Sequence, residues 1–143
     1  MMSVRNVTPC VTLGYAADPS GDGVVYGSLR EPGGASSLVR VGFRCRPLPA
    51  LAGRDVAYAA LQAIAAELLV RERRSAEFRL DAGALAADLR DRGPIPSALT
   101  LAYVRLRCTL NRFREANVVG VADRTTRDLT ARARAEANLS TAA

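Results

Sequence analysis

The sequence predicts an α/β protein whose first third forms an antiparallel meander of three strands and whose remainder alternates helices with strands. Short runs of alternating apolar and polar residues, separated by clusters of turn formers, occupy the part before Pro47. Beyond it, apolar residues recur at the spacing of amphipathic helices. The 143 residues suit a single domain with one core, which we expect to span residues 1–143, with disordered tails at 1–8 and 139–143.

Three strands are predicted in the N-terminal third. Residues 11–17 form the first, and the turn formers from Asp18 to Gly23 close it. Residues 24–30 form the second. The third, over residues 38–46, places apolar or thiol side chains on one face and arginines on the other, namely Val39, Val41, Phe43 and Cys45 against Arg40, Arg44 and Arg46. The short turns between these strands make them antiparallel.

The remaining elements are a helix over 55–74, a strand over 77–80, a helix over 84–92, a helix from Ser97 towards Phe113, a strand over 118–121 and a last helix ending near Leu139. The first helix has an apolar stripe that we expect to be buried: Val56, Ala60, Leu61, Ile64, Leu68 and Leu69. We expect Ser97 to cap its helix, and Thr125 or Thr126 to cap the last one. The order of elements is βββαβααβα.

The start of the first long helix carries a more specific pattern. Val56-x-x-Ala59-Ala60-x-x-Ala63-Ile64 resembles the first helix of the ribonuclease H superfamily, where Glu-x-x-Ala-Ala/Leu-x-x-Ala-Leu is typical. The order of elements also resembles that family over nearly the whole chain. The resemblance implies a ribonuclease H-like fold, with one five-stranded mixed sheet (antiparallel meander plus parallel strands) and helices on both faces. It also implies cleavage of RNA in RNA–DNA hybrids by two metal ions, Mg²⁺ or Mn²⁺, held by four carboxylates.

Three of those carboxylates have candidates in this chain. Asp18-Pro19-Ser20 resembles the family's Asp-Gly-Ser signature, although such a dipeptide also starts ordinary turns. Asp81 resembles the aspartate that ends a family strand, although it could instead cap the following helix. Asp128 is a loose match to the carboxylate of the last helix, with Asp123 and Thr130 as other options. The resemblance thus names Asp18, Asp81 and Asp128 as metal ligands and catalytic residues, and a right-handed crossover would bring Asp18 and Asp81 together.

The fourth carboxylate is missing, because Val56 stands where the family has its helix glutamate. A valine offers no oxygen to a hard cation. Asp55 is adjacent, but one helical position turns a side chain by roughly 100°, and whether Asp55 or Asp123 substitutes stays open. We therefore expect a protein that binds nucleic acid, an RNA–DNA hybrid or related duplex, with an incomplete metal site and weak or no nuclease activity.

The basic residues offer a second kind of site. All twenty are arginines, which match phosphate geometry better than lysines do, and the net charge is +6. Arg40, Arg44 and Arg46 form a stripe on one strand face, which predicts contact with nucleic acid. One alternative is a GC-rich coding sequence, which yields arginine regardless of function. The other is an edge strand that is protected by charge.

Several classes of function are disfavoured. The chain has no His, so neither His ligands nor His-based catalysis is available, and it lacks Cys-x-x-Cys, P-loop and Gly-x-Gly-x-x-Gly motifs. Three scattered cysteines predict reduced thiols, and no segment suits a membrane span, so we expect a cytoplasmic protein. Two alternatives remain. One is an active Mg²⁺- or Mn²⁺-dependent ribonuclease; the other is a catalytically dead domain that needs no cofactor and binds a protein partner or forms a homodimer.

Overall fold

A computed structural model describes the backbone of residues 8–142 and the side chains of residues 8–138. The strands are β1 (Cys10–Ala17), β2 (Asp22–Arg30), β3 (Ser36–Arg44), β4 (Ser75–Leu80) and β5 (Glu115–Gly120). The helices are α1 (Arg54–Val70), α2 (Gly83–Asp91), α3 (Thr100–Leu110) and α4 (Arg124–Ala142), with short 3₁₀ turns at Pro49–Leu51 and Ser97–Leu99. Residues 1–7 of the expected N-terminal tail lie outside the described residues, whereas α4 continues past Leu139, where we expected it to end.

The five strands form one mixed sheet in the order β3-β2-β1-β4-β5. β1, β2 and β3 are joined as an antiparallel meander, with Leu13 opposite Gly27 and Val25 opposite Val41. β4 is parallel to β1, and β5 is parallel to β4. The predicted order of elements and the predicted mixed sheet are therefore confirmed, and β3 and β5 are its edge strands.

Each face of the sheet carries its own apolar core. On one face α1 and α3 pack against the strands, and the buried side chains include Val11, Leu13, Val25, Leu29, Leu61, Ile64, Leu68 and Leu106. On the other face, Leu129 and Ala133 of α4 pack against Val24 and Tyr26 of β2. All six residues of the apolar stripe predicted for the first helix are buried. The predicted placement of helices on both faces is confirmed.

The ends of the helices differ from the prediction, because local hydrogen bonds decide them. α1 stops at Val70 rather than at residue 74, since Glu72 takes a left-handed φ of 61° and the Arg73 N–H turns back to the Leu68 carbonyl at 2.8 Å. Ser97 starts a 3₁₀ turn and its side chain caps no helix.

The cap of α4 is Asp123, so the prediction of Thr125 or Thr126 was wrong. The Asp123 carboxylate accepts the Thr126 N–H at 2.9 Å, and the Thr126 hydroxyl accepts the Asp123 N–H at 2.9 Å. This reciprocal pair satisfies two backbone donors at the start of the helix.

Two further observations concern the surface. Cys108 is exposed on α3, while Cys10 and Cys45 are partly buried, and all three are free thiols. Within residues 8–142, no helix has the length and apolar character that crossing a membrane requires.

Candidate functional site

Asp81 directly follows β4 and is exposed at the end of the sheet. The cap position of α2 is taken by Ala82, and no side chain caps that helix. The alternative of Asp81 as a helix cap is therefore wrong. Among the described residues, none donates a hydrogen bond to the Asp81 carboxylate or forms an ion pair with it. Asp81 thus offers an available acceptor at the end of the sheet.

The register between β1 and β4 identifies the neighbours of Asp81 on β1. Thr12 lies beside Arg79, so continuing the same register by two residues places Gly14 beside Asp81. Tyr15 follows and packs on the α1 face of the sheet. Burial, together with the negative charge of Asp81, raises the pKa of Tyr15 to about 12. The phenol of Tyr15 therefore stays protonated, and neither Gly14 nor Tyr15 offers a carboxylate at this end of β1.

Gly14 determines how closely α4 approaches this end of the sheet. A Cβ atom at Gly14 would lie 2.2 Å from the Thr130 backbone nitrogen and 2.5 Å from the Leu129 Cβ. Such distances are far inside van der Waals contact, so the first half of α4 can lie on β1 only because residue 14 lacks a side chain.

A cleft of about 270 Å³ separates Asp81 from α4. Its lining residues are Asp81, Thr126, Arg127, Thr130, Ala131 and Arg134. Arg127 and Arg134 are exposed, and neither has a carboxylate within ion-pair distance among the described residues. We call these six residues the α4 cleft. Its charged members are one carboxylate and two guanidinium groups.

Asp18 lies elsewhere, in the turn between β1 and β2. One carboxylate oxygen accepts the Ser20 N–H at 2.9 Å, the Ser20 hydroxyl at 2.6 Å and the Asp22 N–H at 3.1 Å. These bonds, the Ser20 hydroxyl first, hold the pKa of Asp18 below its usual range. Asp18 is four residues beyond Gly14, which is roughly 13 Å along an extended strand. The turn-forming alternative describes this residue well.

Asp128 also points away from Asp81. It is exposed on α4, where Arg124 approaches it at 4.0 Å one turn earlier. Residues 128, 132 and 136 follow one another at four-residue spacing, and so share a flank of the helix. Glu136 on that flank contacts β2 and β3, whereas the α4 cleft lies on the opposite flank.

The predicted convergence of Asp18, Asp81 and Asp128 is therefore not observed. In residues 8–138, no group of three or more His, Cys, Asp or Glu side chains is arranged to hold a metal ion. The described donor set therefore does not fit the two-metal centre that the resemblance implies.

Two other acids near helix starts, Asp55 at α1 and Asp123 at α4, stabilise the local backbone. Val56 is buried in the first turn of α1. The Asp55 carboxylate accepts the Leu48 N–H at 2.8 Å and the Val56 N–H at 3.0 Å, and so ties the preceding loop to the helix. Asp123 caps α4, and the N–H of Thr126 holds its pKa below the usual range. Neither acid lines the α4 cleft.

In the predicted arginine stripe, Arg40 and Arg44 lie on the edge strand β3, and Arg46 lies just after it. Arg40 and Arg44 have ion-pair partners. The Nε of Arg40 donates to both Glu136 oxygens at 3.1 Å, and the Tyr26 hydroxyl also donates to Glu136. Arg40 first and Tyr26 second lower the pKa of Glu136 to about 2. Arg44 pairs with Asp22 at 3.0 Å. Arg46 is exposed and has no ion-pair partner among the described residues.

Sequence reasoning missed Gly14, Tyr15, Arg127 and Arg134. The spacing of 127, 130 and 134 is visible in the sequence and indicates one helix face. What the sequence lacked was the parallel register, which places that face beside Asp81.

Comparison of the sequence with models of known protein families gives no match, and no curated protein matches it. Solved structures do match. Ribonuclease H1 from the halophilic archaeon Halobacterium salinarum NRC-1 superposes with a TM-score of 0.68 at 19% identity, over 90% of this chain and 96% of that one. LC11-RNase H1 in complex with an RNA/DNA hybrid gives 0.64 at 9% identity, over 90% and 98%. The N-terminal RNase H domain of rv2228c from Mycobacterium tuberculosis gives 0.59 at 13%, over 89% and 95%.

These superpositions cover almost the whole of each chain, and the strand order agrees with them. The chain therefore has a ribonuclease H-like fold, as the resemblance implied. At identities below one fifth, these superpositions establish the fold alone, and the function has to be argued from the residues of the site.

Proposed function

We propose that this protein binds nucleic acid, an RNA–DNA hybrid or a related duplex, and does not hydrolyse it at a metal centre. The observation that carries the proposal is the composition of the site at the ends of β1 and β4. One free carboxylate, Asp81, stands there beside the protonated phenol of Tyr15, and Val56 replaces the glutamate of the family pattern. In place of further acids, α4 presents Arg127 and Arg134, which have no ion-pair partner within residues 8–138.

The charge of the chain supports a polyanionic ligand. The net charge is +6, and several exposed arginines have no ion-pair partner among the described residues, among them Arg46, Arg105, Arg127 and Arg134. Contacts to phosphates account for most of the affinity of such proteins and require no reading of base sequence. A solved structure with the same fold holds an RNA/DNA hybrid, and this favours a hybrid as the first ligand to test.

The predicted arginine stripe has a smaller part in this proposal. Arg40 is engaged with Glu136 and Arg44 with Asp22, so a phosphate would have to displace a carboxylate to reach either guanidinium. Arg46 is available without such a cost. We propose that Arg46, with Arg44 after exchange of its partner, extends the binding surface along β3, and that Arg40 mainly anchors α4.

A protein-interaction role is the second candidate, favoured by the outer face of α3. Leu101 is 72% exposed and Val104 is 50% exposed, and they lie one turn apart. Exposed apolar pairs of this kind are common on surfaces that meet other proteins.

The proposal is tested by fluorescence anisotropy with labelled RNA–DNA hybrid, duplex DNA and duplex RNA, in EDTA and over a series of salt concentrations. We expect saturable binding of the hybrid in EDTA, with an affinity that falls as salt rises. If the protein binds none of the three duplexes at low salt, the proposal is contradicted and the α3 face becomes the leading candidate.

A further inference from the structure

We propose that the α4 cleft is a phosphodiester-binding site, in which the guanidinium groups of Arg127 and Arg134 and the hydroxyl of Thr130 bind a backbone phosphate directly. This inference rests on the proposed function and names the chemistry of its contact site. Fixed positive charge on a helix would then do the binding that metal ions would do in the family that the sequence resembles.

The positions of the three side chains on α4 suit one phosphate. Residues 127, 130 and 134 are three and four apart, so they project from one face of the helix. The two arginines are about 10 Å apart along the helix axis, from seven residues at a rise of about 1.5 Å each. An arginine side chain is long enough to cover half of that distance, and Thr130 lies between the two.

The availability of these two arginines distinguishes them from eight others in the chain, which form ion pairs. Arg40, Arg44, Arg54, Arg71, Arg73, Arg79, Arg90 and Arg124 each have a carboxylate at 4.0 Å or less. Arg127 and Arg134 have none among the described residues, although both line a cleft with Asp81. A guanidinium fork matches the geometry of a phosphate and is already charged at every relevant pH.

Replacement of Asp81 tests the proposal, because the direction in which the affinity changes depends on whether a metal ion or the arginines hold the phosphate. A carboxylate in this cleft would bind a metal ion, and its loss would weaken any metal-dependent contact with nucleic acid. Against a phosphate held by arginines, the same carboxylate is a repulsive neighbour. Asp81→Asn is therefore expected to tighten binding of the hybrid in EDTA by about twofold to fivefold, as removal of one nearby like charge does.

The matched test compares two double variants of α4 that lose the same charge. Arg127→Gln with Arg134→Gln removes both cleft guanidiniums. Arg124→Gln with Arg132→Gln removes two arginines of the same helix that do not line the cleft. The probe is a labelled RNA–DNA hybrid in EDTA.

We expect the cleft double variant to bind at least about tenfold more weakly than the control double variant. We also expect its plot of log K against log salt to flatten by about 0.9 for each phosphate that the variant no longer neutralises. Circular dichroism melting checks that both variants remain folded, which the exposure of all four side chains leads us to expect.

The outcomes separate the two proposals. If the wild type binds no duplex, the proposed function fails. If the wild type binds but the two double variants weaken binding equally, or Asp81→Asn weakens it in EDTA, the α4 cleft is not the contact site and the proposed function stands. If the cleft double variant alone weakens binding and Asp81→Asn tightens it, both proposals hold.

Discussion

The two flanks of α4 use arginine in different ways. On the flank towards β3, Arg40 and Tyr26 both donate to Glu136, and the Arg132 guanidinium lies 4.8 Å from the centre of the Tyr26 ring. On the flank towards β4, Arg127 and Arg134 face a cleft and have no such partners among the described residues. The first flank fixes the helix to the sheet, and the second leaves positive charge free.

This difference shows why counting arginines cannot locate a binding surface. Arg40 looks like a phosphate contact in the sequence because it alternates with apolar residues on a strand. Its side chain is instead half of a charge-assisted pair that crosses from β3 to α4. An arginine is available for a ligand only where the fold supplies no nearer carboxylate.

We expect the largest effect on stability at Gly14. Because this residue lacks a side chain, α4 can pack closely on β1, and that packing positions both flanks of the helix. Gly14→Ala would place a Cβ at 2.2 Å from the Thr130 nitrogen, so α4 must move away from β1 and its packing through Leu129 must loosen. We expect a decrease of more than about 3 kcal/mol in the free energy of unfolding, measured in urea. Gly42→Ala is the control, since its nearest neighbour would be 3.9 Å away. An unchanged midpoint for Gly14→Ala would contradict the placement of α4.

A smaller effect is expected from Glu136, which holds the flank towards β3. Glu136→Gln keeps the shape of the side chain but removes the charge that Arg40 pairs with, and should cost about 1 kcal/mol at neutral pH because the pair is partly exposed. The folded-state pKa of Glu136, about 2, lies below its ordinary value of 4.5. The stabilisation is therefore complete above pH 4.5 and is lost as pH falls through 2.

Urea unfolding of both proteins over this pH range checks the claim. The difference in unfolding free energy between wild type and Glu136→Gln should shrink between pH 4.5 and pH 2. A difference that stays constant over that range would show that the pair does not lower the pKa of Glu136.

Much of the fold was predictable because it depends on periodicity. The alternating parity of β3 and the apolar stripe of α1 fix which faces are buried, whatever the neighbours are. Helix ends were not predictable in this way. Glu72 in a left-handed conformation and the reciprocal pair of Asp123 with Thr126 are decided by single hydrogen bonds, and several residues nearby could have served equally well.

The site was predictable only in part, for a tertiary reason. The position of Val56 in the family pattern was assigned from a helix in which several packing residues match at once. Asp18 was assigned from a three-residue resemblance, but the register of β1 against β4 brings Gly14 and Tyr15 to Asp81. A displacement of four residues along a strand cannot be read from a short motif, because the register is set by how α1 carries the chain from one strand to the other.

The central claim is that, within the described part of the chain, Asp81 is the only carboxylate that lines the α4 cleft. Titration of Mn²⁺ into the wild type, followed by the electron paramagnetic resonance signal of the free ion, tests it most directly. We expect no saturable binding in the wild type, and none in Val56→Glu, because Gly14, the residue on β1 next to Asp81, still offers no carboxylate. Saturable binding of Mn²⁺ by the wild type that Asp81→Asn abolishes would contradict the claim and favour a metal-dependent ribonuclease.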